Sequence, residues 1–283
     1  MSTHPNELPG ITQEPLTAQE IAAVTGRDVE EVTRTLAAVR LGMQPVERKY
    51  IVTEGGYTRT RTVTRTGVGM LETPFGAFWQ MDFVIDDQWV NYHVLWCGEV
   101  DMFDNFALRP GSPDHVIMRT DSGCKTGQVF HDATCDCREQ LHAAMAHIAS
   151  VGEGLVIHIP GQDGRGMRLN FKLGTLTLQQ LLGVDTIQSA RMLTTTGTID
   201  ARTYDGIIAI LKFLGFETGT QVNLVTNNPR KKAVFADNGY PLESTPCLVE
   251  APAAAQRHMV AKEAALGHVG LGSNGNGRAE GEE

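Results

Sequence analysis

Three cysteines crowd one short stretch of this chain: Cys124, Cys135 and Cys137, spaced C-x10-C-x-C in CKTGQVFHDATCDC. Thiolates are soft ligands suited to zinc, and three of them leave the fourth tetrahedral position open to water. Such an opening separates a catalytic zinc from a structural one, which four protein ligands normally close. A zinc ion in an open site lowers the pKa of its water to about 7 and supplies hydroxide near neutral pH. The same residues also fit ordinary buried thiols, or a closed structural site with His131 or His142 as fourth ligand. The spacing alone leaves those alternatives open.

Two further segments are built to hold an anion. GQDGRGMRL (161–169) combines three glycines, which allow close backbone approach, with Arg165 and Arg168, which can fork onto anionic oxygens. In VTNNPRKKA (225–233) a strand gives way to a helix that opens with Arg230, Lys231 and Lys232. Free backbone N–H groups and the helix dipole meet at such a turn. Cations in a helix's first turn oppose that dipole, so a bound polyanion explains them better than helix stability does. Either segment could equally be a polar turn with solvated charges. A third, TTTGTIDARTYDG (194–206), carries Asp200 and Arg202. Read blandly, these form a surface ion pair worth well under about 1 kcal/mol.

The elements that must position these residues follow from the patterning. Thr17 and Glu20 make a capping box, and Ile21, Val24, Val32, Leu36 and Val39 recur at helical spacing, with Gly26 and Asp28 dividing the run. This predicts two short helices over about 16–41. They read as a helical hairpin packed on the main domain or on a second subunit, or as a DNA-binding helix-turn-helix, which Glu30 and Glu31 disfavour. From about Tyr50 to Val116, TRTRTVTRT, FWQMDFVI and WVNYHVLW predict an antiparallel β unit. Beyond it, strands at 116–120, 154–160 and 222–226 alternate with helices at 138–150, about 170–182, 204–216 and after Pro229. The fold class is α/β (α+β), a β-rich unit followed by alternating strands and helices. Expected boundaries are an N-terminal helical extension (1–49), a catalytic domain (50–266) and a disordered tail (267–283).

Composition excludes several classes. The chain has 283 residues, and 41% of them are hydrophobic, enough to exclude disorder throughout. Its 24 Lys+Arg against 33 Asp+Glu give a net charge of -9, a poor match to nucleic acid. No run approaches the roughly 18 apolar residues of a membrane span, and the first residues lack the layout of a signal peptide. Five cysteines, an odd number, argue against a disulfide framework. The expectation is a cytoplasmic protein without membrane or nucleic-acid partners.

Taken together and in this order, CKTGQVFHDATCDCREQL, QDGRGMRL, DAR and VTNNPRKK resemble GTP cyclohydrolase II, the zinc enzyme that opens riboflavin biosynthesis. The resemblance runs from about Met70 to His268 and leaves the first 50 residues outside it. It implies an enzyme that removes C8 of GTP as formate and releases pyrophosphate, leaving a diaminopyrimidinone nucleotide. It also implies that Cys124, Cys135 and Cys137 hold one zinc per subunit, whose water attacks C8. Arg202 matches the family's proposed nucleophile toward the α-phosphate, and Asp200 its proton acceptor. A guanidinium is normally locked in its charged form, so clamping the phosphate in the transition state is the milder role for Arg202. Arg119, Gln140, Asp163, Gly164, Arg165, Thr186, Thr226 and Lys231 fall on substrate-contacting positions. Magnesium is implied on the triphosphate, and a homodimer as the assembly.

The chain departs from the family pattern in three places. Arg119-Thr120-Asp121-Ser122-Gly123 stands where the family reads Arg-Val-His-Ser-Glu, and Asp163-Gly164-Arg165 where it reads Glu-Gly-Arg. Leu176 takes the place of a tyrosine on the following helix and has no proton to give, so the product is expected to keep its formyl group. The alternative is a paralogue acting on another nucleotide or nucleobase, in secondary metabolism or nucleobase catabolism. A regulator with a structural zinc is the non-enzymatic reading, disfavoured by Asp200 and Arg202.

Overall fold

The structure is a computed structural model and describes residues 13–86, 91–163 and 165–267. The expectations for the first 12 residues, for Gly164 and for the tail beyond Gly267 lie outside the described residues. The chain opens with α1 (Ala18–Thr25) and α2 (Val29–Gly42). The capping box forms as expected: Thr17 Oγ1 accepts from the Glu20 N–H, and the Glu20 carboxylate accepts from the Thr17 N–H. Gly26 ends α1 in the left-handed region, and the Asp28 side chain caps α2.

Four antiparallel strands follow: β1 (Val46–Glu54), β2 (Tyr57–Thr73), β3 (Gly76–Ile85) and β4 (Asn91–Cys97). The β unit therefore begins at Val46 rather than at residue 50. A small hairpin, β5 (Glu99–Asp101) with β6 (Ala107–Arg109), precedes β7 (His115–Asp121), α3 (Cys137–Val151) and β8 (Gly154–His158). Then come α4 (Arg168–Leu182), α5 (Thr186–Leu193), α6 (Asp205–Phe213), β9 (Gln221–Val225), α7 (Pro229–Asp237), β10 (Leu242–Thr245) and α8 (Gln256–Leu266). The sequence reading missed α5, α8, β10 and the hairpin: α5 and the strands are short, and α8 shows little apolar periodicity.

The principal strands form one mixed sheet, in the order β1-β2-β3-β4-β8-β7-β9-β10. β4 meets β8 antiparallel, while β8, β7, β9 and β10 run parallel. Side chains alternate across the sheet, as a period of two requires. One face (Met81, Phe83, Val94, Trp96, Leu155, Ile157, Met118, Leu224) packs on α6. Residues 207–211 of α6 are wholly buried, which its unbroken IIAIL run anticipates. The other face (Phe78, Leu95, Val156) packs against Met145 and Ile148 of α3.

Two of the three arginines of TRTRTVTRT serve the start of α6. Arg61 pairs with Asp205 at 2.7 Å and Arg59 with the same carboxylate at 3.3 Å. Glu54 at the end of β1 accepts from the Tyr204 and Asp205 N–H groups, so a distant strand caps this helix. These contacts also anchor the loop before α6, which carries Asp200 and Arg202.

Phe83 is fully buried, with its ring centroid 5.1 Å from that of Phe213. Phe83→Ala is expected to destabilise the protein by about 3–5 kcal/mol. Urea titration monitored by circular dichroism measures the loss.

Candidate active site

β7, β8 and β9 run parallel, so their C-terminal ends open on one side of the sheet, where ligands bind in α/β folds. The loops leaving these three strands, over 122–136, 159–167 and 226–228, are the ones the sequence singled out. They enclose a cavity of about 190 Å³, lined also by α4, α5 and α8.

After β7 the chain makes a π-helical turn, Lys125–Val129, which folds Cys124 back onto Cys135 and Cys137 at the start of α3. Their sulfur atoms all lie within 4.8 Å of one another, and Cys124 and Cys135 are 3.6 Å apart. Only glycine permits this approach at 127, since a Cβ there would stand 2.5 Å from the Cys135 Sγ. Neither candidate fourth ligand joins the group. His131 faces Arg138 at 2.6 Å, and His142 packs on the Phe75 ring. The cluster could bind a metal through three soft donors, with the remaining side facing the cavity.

The Lys172 ammonium, on α4, donates to the Cys124 Sγ at 2.8 Å. Hydrogen bonds from Cys135 and Cys137, helped by Lys172, hold Cys124 far below the ordinary thiol range. The same contacts push Cys135 up to about 11 and Cys137 well above its usual value. The Cys124 thiolate thus has its counter-charge from within the protein. The sequence reading passed over Lys172, because a single lysine on a helix is ordinarily a solvated one.

Facing the sulfurs is a cationic wall. Arg119 donates to the Val225 carbonyl at 3.2 Å and to Gln140 Oε1 at 2.9 Å. Gln140 in turn donates to Asp136. Arg165, with a positive φ of 59°, donates to Thr186 Oγ1 at 2.6 Å. Lys231 is buried and donates to the Thr120 carbonyl, while Thr226 Oγ1 accepts from the Asn228 N–H. Burial, with Arg119 and Arg202 near, pushes Lys231 well below the usual lysine range. Burial and Arg202 push Arg165 down to about 10. Arg230 and Lys232 bond elsewhere, to Asp200 and Ser244, and Arg168 is exposed. Lys231 alone of the three first-turn cations lines the cavity.

Asp200 and Arg202 form a two-point pair, Nη2 to Oδ2 at 2.6 Å and Nε to Oδ1 at 3.0 Å. It is no surface pair: the side chains are 5% and 11% exposed. Burial opposes both charges, but each partner outweighs it, lowering the Asp200 pKa and raising that of Arg202. Arg202 lines the cavity and Asp200 stands behind it. Asp163 also sits behind the lining, accepting from the Lys125 N–H at 3.1 Å and facing Lys172 at 3.5 Å. The structure therefore brings Cys124, Cys135, Cys137, Arg119, Gln140, Arg165, Thr186, Thr226, Lys231 and Arg202 to one cavity.

A sequence model of GTP cyclohydrolase II matches residues 69–243. The chain belongs to the GTP cyclohydrolase II family. Among curated relatives, riboflavin biosynthesis protein RibBA of Bacillus mycoides is 34% identical over 213 residues, covering 73% of this chain and 48% of that one. RibBA of Mycobacterium ulcerans is 38% identical over 156 residues, covering 55% and 35% respectively. RibBA of Bacillus velezensis is 33% identical over 215 residues, covering 75% and 50%. The chain thus spans about half the length, or less, of these relatives.

The departures from the GTP cyclohydrolase II pattern have structural settings. Gly123 has a φ of 55°, and a Cβ there would meet the Ile159 carbonyl at 2.6 Å, so this loop conformation excludes a side chain. Asp121 accepts from His158 Nδ1 at 2.7 Å, Gln128 Nε2 at 2.9 Å and the Gly123 N–H at 3.2 Å. Gln128 accepts from the Cys124 N–H at 2.8 Å, so Asp121 orients the cysteine loop through it. Leu176 lies one turn beyond Lys172 on α4 and lines the cavity.

Two outcomes are expected here. Gly127→Ala is expected to lower the bound metal per chain severalfold, measured by elemental analysis of the purified protein. Burial alone would raise the Asp121 pKa, but His158 and Arg119 outweigh it and bring it from 3.8 to about 2. Its contribution to stability is therefore complete above about pH 4 and lost as pH falls toward 2. Thermal melts of Asp121→Asn are expected to vary less than wild type over that window.

Proposed function

We propose that this chain is a zinc-dependent GTP cyclohydrolase that opens the imidazole ring of GTP and releases pyrophosphate. The observation that carries this reading is a three-thiol cluster and a cationic wall facing one cavity. Zinc, when held by Cys124, Cys135 and Cys137, supplies Lewis acidity that makes a coordinated water nucleophilic near neutral pH. Arg119, Arg165 and Lys231 bind the triphosphate, whose charge relieves their mutual repulsion. Gln140 and Thr186 hold two of these cations in place through the bonds described.

Arg202 stays protonated beside Asp200, which supports a charged clamp on the α-phosphate rather than a nucleophilic arginine. Magnesium accompanies the triphosphate. The cysteines form the one cluster of three or more metal-ligating side chains among the described residues, so magnesium coordination falls to phosphate oxygens. No helix among the described residues is long and apolar enough to cross a membrane, in keeping with a cytoplasmic site of action. A homodimer is the proposed assembly, and riboflavin biosynthesis the proposed pathway.

Leu176 offers the reaction no proton donor, so the product is proposed to keep its formyl group. The metal-loaded protein incubated with GTP and magnesium is expected to yield pyrophosphate and a formylated product by mass spectrometry. Leu176→Tyr is expected to shift that product toward formate release. Stoichiometric formate from the wild type would sink the idea. The altered positions 121, 123, 163 and 176 favour a second reading, a paralogue acting on another nucleotide. Turnover of a different nucleotide, with GTP left unchanged, would establish it.

A further inference from the structure

Helix α8 lies beyond residues 69–243, the span that the family model matches. It nevertheless forms part of the cavity. His258, Lys262 and Leu266 recur every fourth residue, share one face of the helix, and all line the cavity. α8 packs on α5, which begins with Thr186, the partner of Arg165. Its other end reaches α7: a Cβ on the capping Gly267 would stand 3.7 Å from Pro229 Cγ. The helix therefore spans the cavity from the Arg165 side to the Lys231 side.

His258 is 1% exposed. Its Nε2 accepts from Arg257 Nε at 3.3 Å, which leaves the ring proton on Nδ1. That Nδ1 has no partner among the described residues. A buried polar atom without a partner is unfavourable, and this one belongs to a side chain on the cavity wall. Burial first, then Arg257 and Lys262, hold the imidazole below its ordinary pKa against the smaller pull of Asp185 and Asp132, so it is neutral near pH 7. Arg119, Arg165, Arg202 and Lys231 on the same wall are cations suited to phosphate. A neutral N–H donor among them suits a neutral acceptor.

We propose that α8 is a wall of the nucleotide site, with His258 Nδ1–H donating to an acceptor atom of the nucleoside and Lys262 facing the phosphates. This rests on the nucleotide reading of the cavity. The test is calorimetric titration of the full-length, metal-loaded protein with α,β-methylene GTP and with inorganic tripolyphosphate, beside steady-state kinetics with GTP. His258→Leu is expected to weaken the GTP analogue about tenfold, the scale of one lost hydrogen bond. Tripolyphosphate affinity stays unchanged, and KM rises while kcat holds. His258→Asn, which keeps an N–H near the Nδ1 position, is expected to recover most of that affinity. Lys262→Ala, at a half-buried position, is expected to weaken both ligands, more so at low salt.

Unchanged analogue affinity and KM in His258→Leu and Lys262→Ala, both folded by circular dichroism and with the wild type binding the analogue, would overturn the role of α8 alone. Failure of the wild type to bind either ligand would overturn it together with the nucleotide reading.

Discussion

Burying Arg119, Arg165, Arg202 and Lys231 around one cavity costs desolvation and sets like charges against each other. Each of these cations is fixed by a specific polar partner: Gln140, Thr186, Asp200 and the Thr120 carbonyl. Arg202 has a two-point carboxylate partner in Asp200, and Arg119 a more distant one in Asp121 at 3.9 Å. Arg165 and Lys231 are held by neutral groups, which fix position without cancelling charge. Four cations thus share one cavity wall.

The sheet makes that arrangement possible. Three parallel strands end side by side, and each end feeds a loop that lines the cavity. β7 leads to the cysteines, β8 to Arg165 and β9 to Thr226 and Lys231. The antiparallel half contributes at a distance. Glu54, Arg59 and Arg61 tie the start of α6, and with it the Asp200–Arg202 loop, to the edge of the sheet. The arginine–threonine alternation of β2 thus serves the site although none of its residues lines the cavity. Asp121 and Gln128 steady the cysteine loop by accepting from its Gly123 and Cys124 N–H groups.

The metal cluster shows how charge and shape cooperate. Gly127 lets the backbone pass beside the sulfurs, while Lys172 supplies one positive charge where three thiolates would otherwise repel. Leu176, one turn further along α4, puts hydrocarbon against the same space. The departures from the family pattern therefore cluster beside the cysteine loop.

How much of this was legible in the sequence depended on the range of the interaction. Local signals were sufficient for the helical hairpin: Thr17 with Glu20, and Gly26 with Asp28, act within one or two turns. The long strands, the IIAIL helix and the spacing of the cysteines were equally readable, because periodicity and ligand chemistry are properties of adjacent residues. The burial of the Asp200–Arg202 pair, the approach of Lys172 to Cys124, and the placing of Asp163 behind the cavity wall were not. Each depends on contacts between segments tens of residues apart, and a lysine or an ion pair looks solvated until something packs over it. Helix α8 is the clearest case. Its alanine-rich sequence has little apolar rhythm, and only the tertiary fold, by laying it across the ends of α5 and α7, turns His258 and Lys262 toward the cavity.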